Sequence, residues 1–510
     1  MSFNLAEDKW IPVFSEGVSK KMSLYEIFES LPSIKDILGT PVEEIAIFRL
    51  LLCITQAALK GPANEENWSS CKDKIQETVL DYLKKWKDRF DLFGSKPFLQ
   101  ITDLKPIKNR KLKVLFFKRA TGQNHTLFDF SARDNNSEVY EMNEVALALT
   151  VYQQFAPCGL LKTENKYPPP LGIGSDYGAI PVNILLSILK GNNLLETLYL
   201  NLIPKDKIES YPIKFGKPVW ELNLKTSDII SSQGCEKSYL YNLVPLTRSI
   251  LLEENSDKCT IAGGLHISEA KGNNYYPSYC DPMGTIITRK KENRTADKPK
   301  NLYLPISLDK APWRELHSIL NSLKIGNTGE ESGPWALSHI KGANIKNYES
   351  ESVFLWTGGL SCSKARIIDN CSWNYEIELS SITNQFAEAY KGKIEAADKI
   401  SQRIYRAAAI YFNIAKKKKK KPLFLKRLVQ SACRTFWASL ESKKDKLILD
   451  INEYAKANKT INEDSIKWWD RLVKREAVAA FKKACEQSVI TNPIIFVKAL
   501  SSIERGDDNE

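Results

Sequence analysis

A change of hydrophobic period near Ile382 limits how this chain can fold more than any other feature. Before it, over residues 210–375, short β-branched and aromatic runs alternate with Gly, Asn and Pro, the pattern of a strand-rich region. Beyond it, apolar residues recur at three- and four-residue spacing to the end, which predicts amphipathic helices. One stripe carries Phe386, Ala389, Ile400, Ile404, Ala407 and Tyr411. A second carries Leu425, Leu428, Ala432, Phe436 and Leu440 and can extend to Ile451. A third carries Ile466, Trp469, Val473, Ala480 and Ala484. The fourth opens at Thr491-Asn492-Pro493, a cap followed by proline at the first helical position, and is expected to bury Ile494, Val497, Leu500 and Ile503. Four such helices with short connections predict an antiparallel four-helix bundle over residues 376–510. The fold class is therefore α+β: a large mixed N-terminal domain with irregular loops, residues 1–375, followed by that bundle.

Charge divides at the same place. Residues 381–510 hold 27 Lys and Arg against 16 Asp and Glu, out of 73 against 61 in the whole chain, so residues 1–380 are nearly neutral at 46 against 45. The off-stripe positions of the helices carry the excess, and Lys416, Lys417, Lys418, Lys419, Lys420 and Lys421 form a connector closed by Pro422. A basic bundle beside a neutral body points to a polyanion as partner. At 510 residues the chain exceeds what one core organises, so more than one domain is expected. The segment Met1 to Trp10 lacks the basic-then-apolar layout of a signal peptide. The longest apolar stretch, Ile45 to Leu59, is interrupted by Arg49, Thr55 and Gln56 and is too short to cross a bilayer, so it reads as a buried helix and no membrane partner is expected. Ten cysteines stand singly between Cys53 and Cys485 without a C-x-x-C pair, as in a reducing cytoplasm.

Along the N-terminal domain, Phe3-Asn4-Leu5 and Trp10-Ile11-Pro12-Val13 read as a short strand ended by proline. Helices are predicted over Leu24–Leu31, Pro41–Ala58, Trp68–Arg89, Asn143–Phe155 and Ile180–Leu189. Between Asp91 and Asp134, strands and a long loop carry a basic cluster that includes Lys105, Arg110 and Lys118.

Catalytic signals are sparse. The four histidines, His125, His266, His317 and His339, are far apart and show no paired metal spacing. No phosphate-binding G-x-x-x-x-G-K-[ST] segment exists. Gly172, Gly174 and Gly178 follow three prolines rather than a strand, so a loop is the better reading. Ser361, Ser363 and Lys364 could form a serine–lysine nucleophile pair, although so short a match often arises by chance. Binding signals are stronger. Arg289-Lys290-Lys291 reads as the tip of a hairpin or as charged protection of a strand edge. Cys158-Gly159 reads as a helix C-cap or as a place where backbone approaches a ligand closely. The lysine run is, taken alone, an ordinary solvated linker.

These pieces together resemble the large subunit of the type I-E CRISPR surveillance complex Cascade, the CasA family. The resemblance spans essentially the full length. It rests on Phe3-Asn4-Leu5 with Trp10-Ile11-Pro12-Val13, Arg49-Leu50-Leu51-Leu52, Asp91-Leu92-Phe93 with Pro97-Phe98-Leu99-Gln100, Pro245-Leu246-Thr247-Arg248, Trp356-x-Gly358-Gly359 and the terminal bundle. It implies a cytoplasmic, non-enzymatic subunit without cofactor that works with crRNA, double-stranded target DNA and its displaced strand, other Cascade subunits and a helicase–nuclease. A loop over Thr121 to Glu138, with Phe128 near its anchor and Arg133 within it, would contact the crRNA handle. The protospacer-adjacent motif would be read from the minor groove by a glycine loop at Ala156-Pro157-Cys158-Gly159 and a lysine finger at Lys290 or its neighbours Arg289 and Lys291. A wedge hairpin over Gly359 to Arg366 would part the strands, and the basic bundle, including Lys426 and Arg427, would guide the displaced one. The minor groove's degenerate pattern suits a backbone loop plus one cation, and guide pairing leaves the protein only a short motif to read.

Two departures from that family stand out. The family wedge offers a glutamine, whereas Gly359 to Arg366 holds none and Lys364 is its expected substitute. Some relatives carry two C-x-x-C pairs for zinc; this chain has neither, so no structural metal is expected. The rival readings are a protein-docking scaffold that binds nucleic acid without selectivity and, more remotely, a serine/lysine hydrolase.

Overall fold

The computed structural model describes residues 2–105, 110–117, 140–160, 171, 175–176, 178–211, 213–231, 238–264, 281–289, 300–320, 332–342, 352–363, 366–379, 382–412, 423–456, 463–486 and 493–504. They form two compact units, Met1–Pro312 with Ser322–Glu376, and Trp313–Asn321 with Ile377–Glu510.

The first unit is built on the helix Pro41–Ala58. Thr40 and Glu43 close a reciprocal capping box at its start, with proline in the first turn. Every residue from Ile45 to Ala57 is buried, which is why the segment is apolar all round rather than striped. The polar residues that interrupt it find partners: Thr55 Oγ1 donates to the Leu51 carbonyl at 2.8 Å and Gln56 Nε2 to the Ile203 carbonyl at 3.2 Å, while Arg49 reaches several partners described below. The helix Met142–Phe155 packs beside it.

Among the described residues, most strands are short and are gathered in small sheets of two or three. Ile11–Ser15 lies between Val18–Met22 and Ile34–Ile37, antiparallel to both. The expected break at Pro12 does not occur: Pro12 pairs with Lys21 inside the strand, and its carbonyl accepts from the Leu38 N–H at 2.8 Å. Glu16 and Gly17, both at positive φ, make the tight turn that a right-twisted hairpin requires. The expected helix Trp68–Arg89 is broken into Glu65–Ser69 and Ile75–Trp86, because Ser69 and Ser70 turn their hydroxyls back onto the Glu66 carbonyl.

A larger correction concerns Ile180–Leu189, expected as a helix. The chain instead turns over Ile180 to Asn183, and Leu186–Lys190 is a strand antiparallel to Phe354–Gly358. Residues Ile184 to Leu189 are buried on both faces, and Asn183 sits at φ 66°, which ends any helix. A short apolar run of this kind fits a doubly covered strand as well as a helix, and periodicity alone does not separate them.

Among the described residues, the stretch 210–375 holds the hairpins Arg248–Leu252 with Lys258–Gly263, Ile286–Arg289 with Lys300–Tyr303, and Ser352–Ser363 with Arg366–Glu378. Short helices lie before and between them, among them Tyr239–Leu243 and Trp335–Gly342.

In the second unit the helix Asn384–Tyr411, capped by Thr383, packs against Leu423–Glu441, Glu463–Glu486 and Pro493–Glu504. The second predicted helix stops at Glu441 rather than running to Ile451; a separate helix, Lys444–Lys456, follows after a two-residue turn. The stripes are buried at Phe386, Ile400, Ile404, Leu425, Phe436, Ile466, Trp469 and Ile503. Trp313 is buried against Trp437 and Trp469, and the Arg314 guanidinium lies 3.5 Å from the Trp437 ring centre and pairs with Asp398. Ile494 and Val497, expected in the core, are 81% and 60% exposed. Ile503 is buried as expected, and Ala499 joins it on the inward face of the last helix.

Candidate nucleic-acid interface

Ala156-Pro157-Cys158-Gly159 leaves the helix Met142–Phe155 at an extended Ala156 and is held from three sides. Buried Arg248 donates from Nη2 to the Pro157 carbonyl at 3.0 Å. Gln153, also buried, accepts the Arg248 N–H at 3.0 Å and donates to the Arg248 and Leu99 carbonyls. On the far side the Ala179 N–H donates to the Ala156 carbonyl at 2.7 Å, and Gly159 pairs with Asp176. A Cβ on Gly178 would stand 3.0 Å from the Cys158 nitrogen, so any larger residue there would press on this loop. Cys158 and Gly159 are half-buried.

The strand Ile286–Arg289 leads toward the predicted finger. Its last residue, Arg289, is in register with Lys300. The root of this hairpin is tied to the central helix by Arg49. Its guanidinium donates to the Leu243 and Asn242 carbonyls at 3.0 and 2.6 Å and pairs with Asp281 at 2.9 Å, all fully buried. Asp281 in turn accepts the Met283 N–H at 3.0 Å. A buried pair with its remaining donors and acceptors satisfied holds one geometry firmly.

The predicted wedge is a hairpin: Ser352–Ser363 and Arg366–Glu378 are neighbours in one sheet joined across residues 364–365, which only an antiparallel pair allows. Ser363 and Arg366 are exposed at its tip and Ser361 is half-buried, whereas Gly359 lies buried at its base. There φ is 156°, and a Cβ would stand 2.7 Å from the Ile184 carbonyl oxygen. The base is also pinned through Trp356, whose Nε1 donates to Glu44 at 3.1 Å; Glu44 and Asp36 both hold the Lys190 ammonium. Burial pushes the Cys362 thiol up to about 12, with Cys158 contributing in the same direction.

One segment touches all three elements. Gly178 and Ala179 meet the glycine loop; Ile184 bridges to Pro305 and Leu186 to Gly284, at the feet of the finger hairpin; Asn183 bonds Leu360 and Cys362 of the wedge. Periodicity hides this segment by making it look like a helix. The signals against a helix are Pro181 and Asn183, the latter a residue type that tolerates left-handed backbone.

Phe128, Arg133, Lys290, Lys291, Lys364 and Lys416 to Lys421 lie outside the described residues. Lys426 and Arg427 are exposed on the helix Leu423–Glu441, opposite buried Leu425, and Lys399, Lys474 and Lys482 are exposed on neighbouring helices of the same unit. Among the described residues no three His, Cys, Asp or Glu side chains are grouped so as to hold a metal, and no helix is long and apolar enough to cross a membrane.

The family model for CRISPR-associated protein Cse1 matches residues 4–480. The chain belongs to the Cse1 family. A curated relative, CRISPR-associated protein CasA/Cse1 of Thermus thermophilus, is 30% identical over 333 residues, which is 62% of this chain and 60% of that protein's length. The crystal structure of Thermus thermophilus CasA superposes with a TM-score of 0.75 at 24% identity, covering 98% of both chains. A chain of a CRISPR RNA-guided surveillance complex has the same fold, with a TM-score of 0.70 at 16% identity over 99% of both chains. The Cse1 fold thus extends through the basic helical unit, beyond the last residue that the family model matches.

Proposed function

We propose that this Cse1 chain is the non-catalytic large subunit of a crRNA-guided surveillance complex, which reads the protospacer-adjacent motif in duplex DNA from the minor groove and starts strand separation. The observation that carries the reading is the convergence of the glycine loop, the finger hairpin and the wedge hairpin on residues 178–186. A half-buried glycine-containing loop, a hairpin leading to a run of cations, and a two-stranded wedge suit three tasks: close groove approach, a permissive cation contact, and parting of the strands. Exposed cations on the helical unit suit the displaced strand, which a positive groove would track. Within this reading the crRNA handle, other Cascade subunits and the helicase–nuclease are the remaining partners, and Lys364 does the work of the family glutamine.

The test is target binding by the reconstituted complex carrying Lys290→Ala or Lys364→Ala. Both variants are expected to bind target duplex more weakly, with Lys290→Ala losing most at sites bearing the correct motif. Unchanged affinity and unchanged motif selectivity in both would overturn the assignment and favour a docking scaffold.

A further inference from the structure

Pairing between Leu186–Lys190 and the wedge strand stops at Gly358, and Gly359 then bends the strand past the Ile184 carbonyl. Beyond that bend the ladder is continued by a single residue. Asn183 donates its backbone N–H to the Leu360 carbonyl at 2.8 Å, and its side-chain Oδ1 accepts the Cys362 N–H at 2.6 Å. Leu360 and Cys362 are alternate residues on one strand edge, so the donor and acceptor of Asn183 stand in for a missing neighbouring strand. Its own carbonyl accepts the Ile306 N–H at 3.2 Å, just past the second strand of the finger hairpin. Five residues earlier the same segment closes on the glycine loop.

We propose that Asn183 is a positioning residue for strand opening, holding the wedge at a fixed offset from the glycine loop and the finger so that motif contact and strand parting occur together. This rests on the function proposed above. The residue type follows from two demands. A φ of 66° is readily met by Gly, Asn or Asp, and an acceptor two bonds beyond the Cβ is needed for the Cys362 amide. Only Asn and Asp satisfy both, and Asn does so without placing a charge beside DNA.

The test uses the full chain in its crRNA-loaded complex and a duplex labelled with 2-aminopurine next to the motif, so that fluorescence reports opening. Asn183→Gly keeps the backbone conformation and removes the acceptor. It should slow opening of intact duplex about tenfold, the worth of one such bond, while a target already unpaired in this region binds as tightly as to wild type. Asn183→Asp should restore most of the opening rate. Hydrogen exchange at the Cys362 amide should quicken in Asn183→Gly, which confirms loss of the bond in a folded chain. Wild-type opening by Asn183→Gly despite faster Cys362 exchange would overturn the proposal. So would an equal loss of binding to paired and pre-opened targets, since that marks a general structural role. Failure of the underlying reading looks different: wild-type complex would then open motif-bearing and motif-free duplexes alike.

Discussion

His339 shows how a single side chain ties pH to the stability of this fold. It is 3% exposed on the helix Trp335–Gly342, its ring meets Trp68 edge-on at 4.6 Å, and neither ring nitrogen has a hydrogen-bond partner among the described residues. Burial, aided by Lys207, lowers its pKa to about 4. Between about pH 6.5 and 4 the unfolded chain therefore binds a proton that the folded chain refuses. The contribution is complete above the ordinary value and is lost as pH falls toward the folded one, amounting to at most about 3 kcal/mol. The urea midpoint should accordingly drop between pH 7.5 and 5, and His339→Phe, which keeps the ring against Trp68, should flatten that drop; an identical drop in the variant would exclude His339 as its source. Nothing in the sequence distinguished this histidine from the other three, because its environment is assembled from Trp68 and Tyr199, far away in the chain. The end of the helix before Cys158 was legible because Pro157 follows a well-formed helical period, but the strand that begins at Gly159 was not. Arg248, which holds that loop, was visible only as part of a motif. Its bond to the Pro157 carbonyl joins residues 91 positions apart.

Between elements, buried polar ties carry the alignment. Arg49 links the central helix to the root of the finger hairpin through Asp281, 232 residues distant. Removing one partner leaves a buried charge unpaired, so Arg49→Met should destabilise the first unit by about 3–5 kcal/mol. The double variant Arg49→Met/Asp281→Leu should lose clearly less than the sum of the single losses, as measured by urea denaturation. Simple additivity would mean that the pair is not coupled. Helix existence in this chain was readable where apolar residues recurred over a long enough run, as over Pro41–Ala58 and Asn384–Tyr411. It failed at Ile180–Leu189 because a strand covered on both faces is as apolar as a buried helix. It failed at Pro12 because proline removes one donor without forbidding the pairing of its carbonyl. In the last helix, Ile494 and Val497 form an apolar stripe that the packing leaves outside, since Ala499 and Ile503 already fill the inward face.

For the whole molecule the uneven charge is a prediction about salt. Replacing Lys416 to Lys421 by glutamine should reduce the slope of log affinity against log salt for target DNA, by about 0.7 for each single-strand phosphate that the run neutralises. An unchanged slope would show the run to be a solvated linker. Linear order alone was enough to set the helical character beyond Ile382, the basic face of those helices and the membership in the Cse1 family. Each of these depends on local period, composition or ordered motifs, which the chain carries along its length. It took the folded chain to establish that Ile180 to Asn183 turn ahead of the strand Leu186–Lys190, that Asn183 bonds Leu360 and Cys362, and that Arg49, Gln153 and Arg248 serve loops far from them in sequence. Those facts depend on which distant backbone groups need a partner once the core closes, and a linear pattern does not encode that.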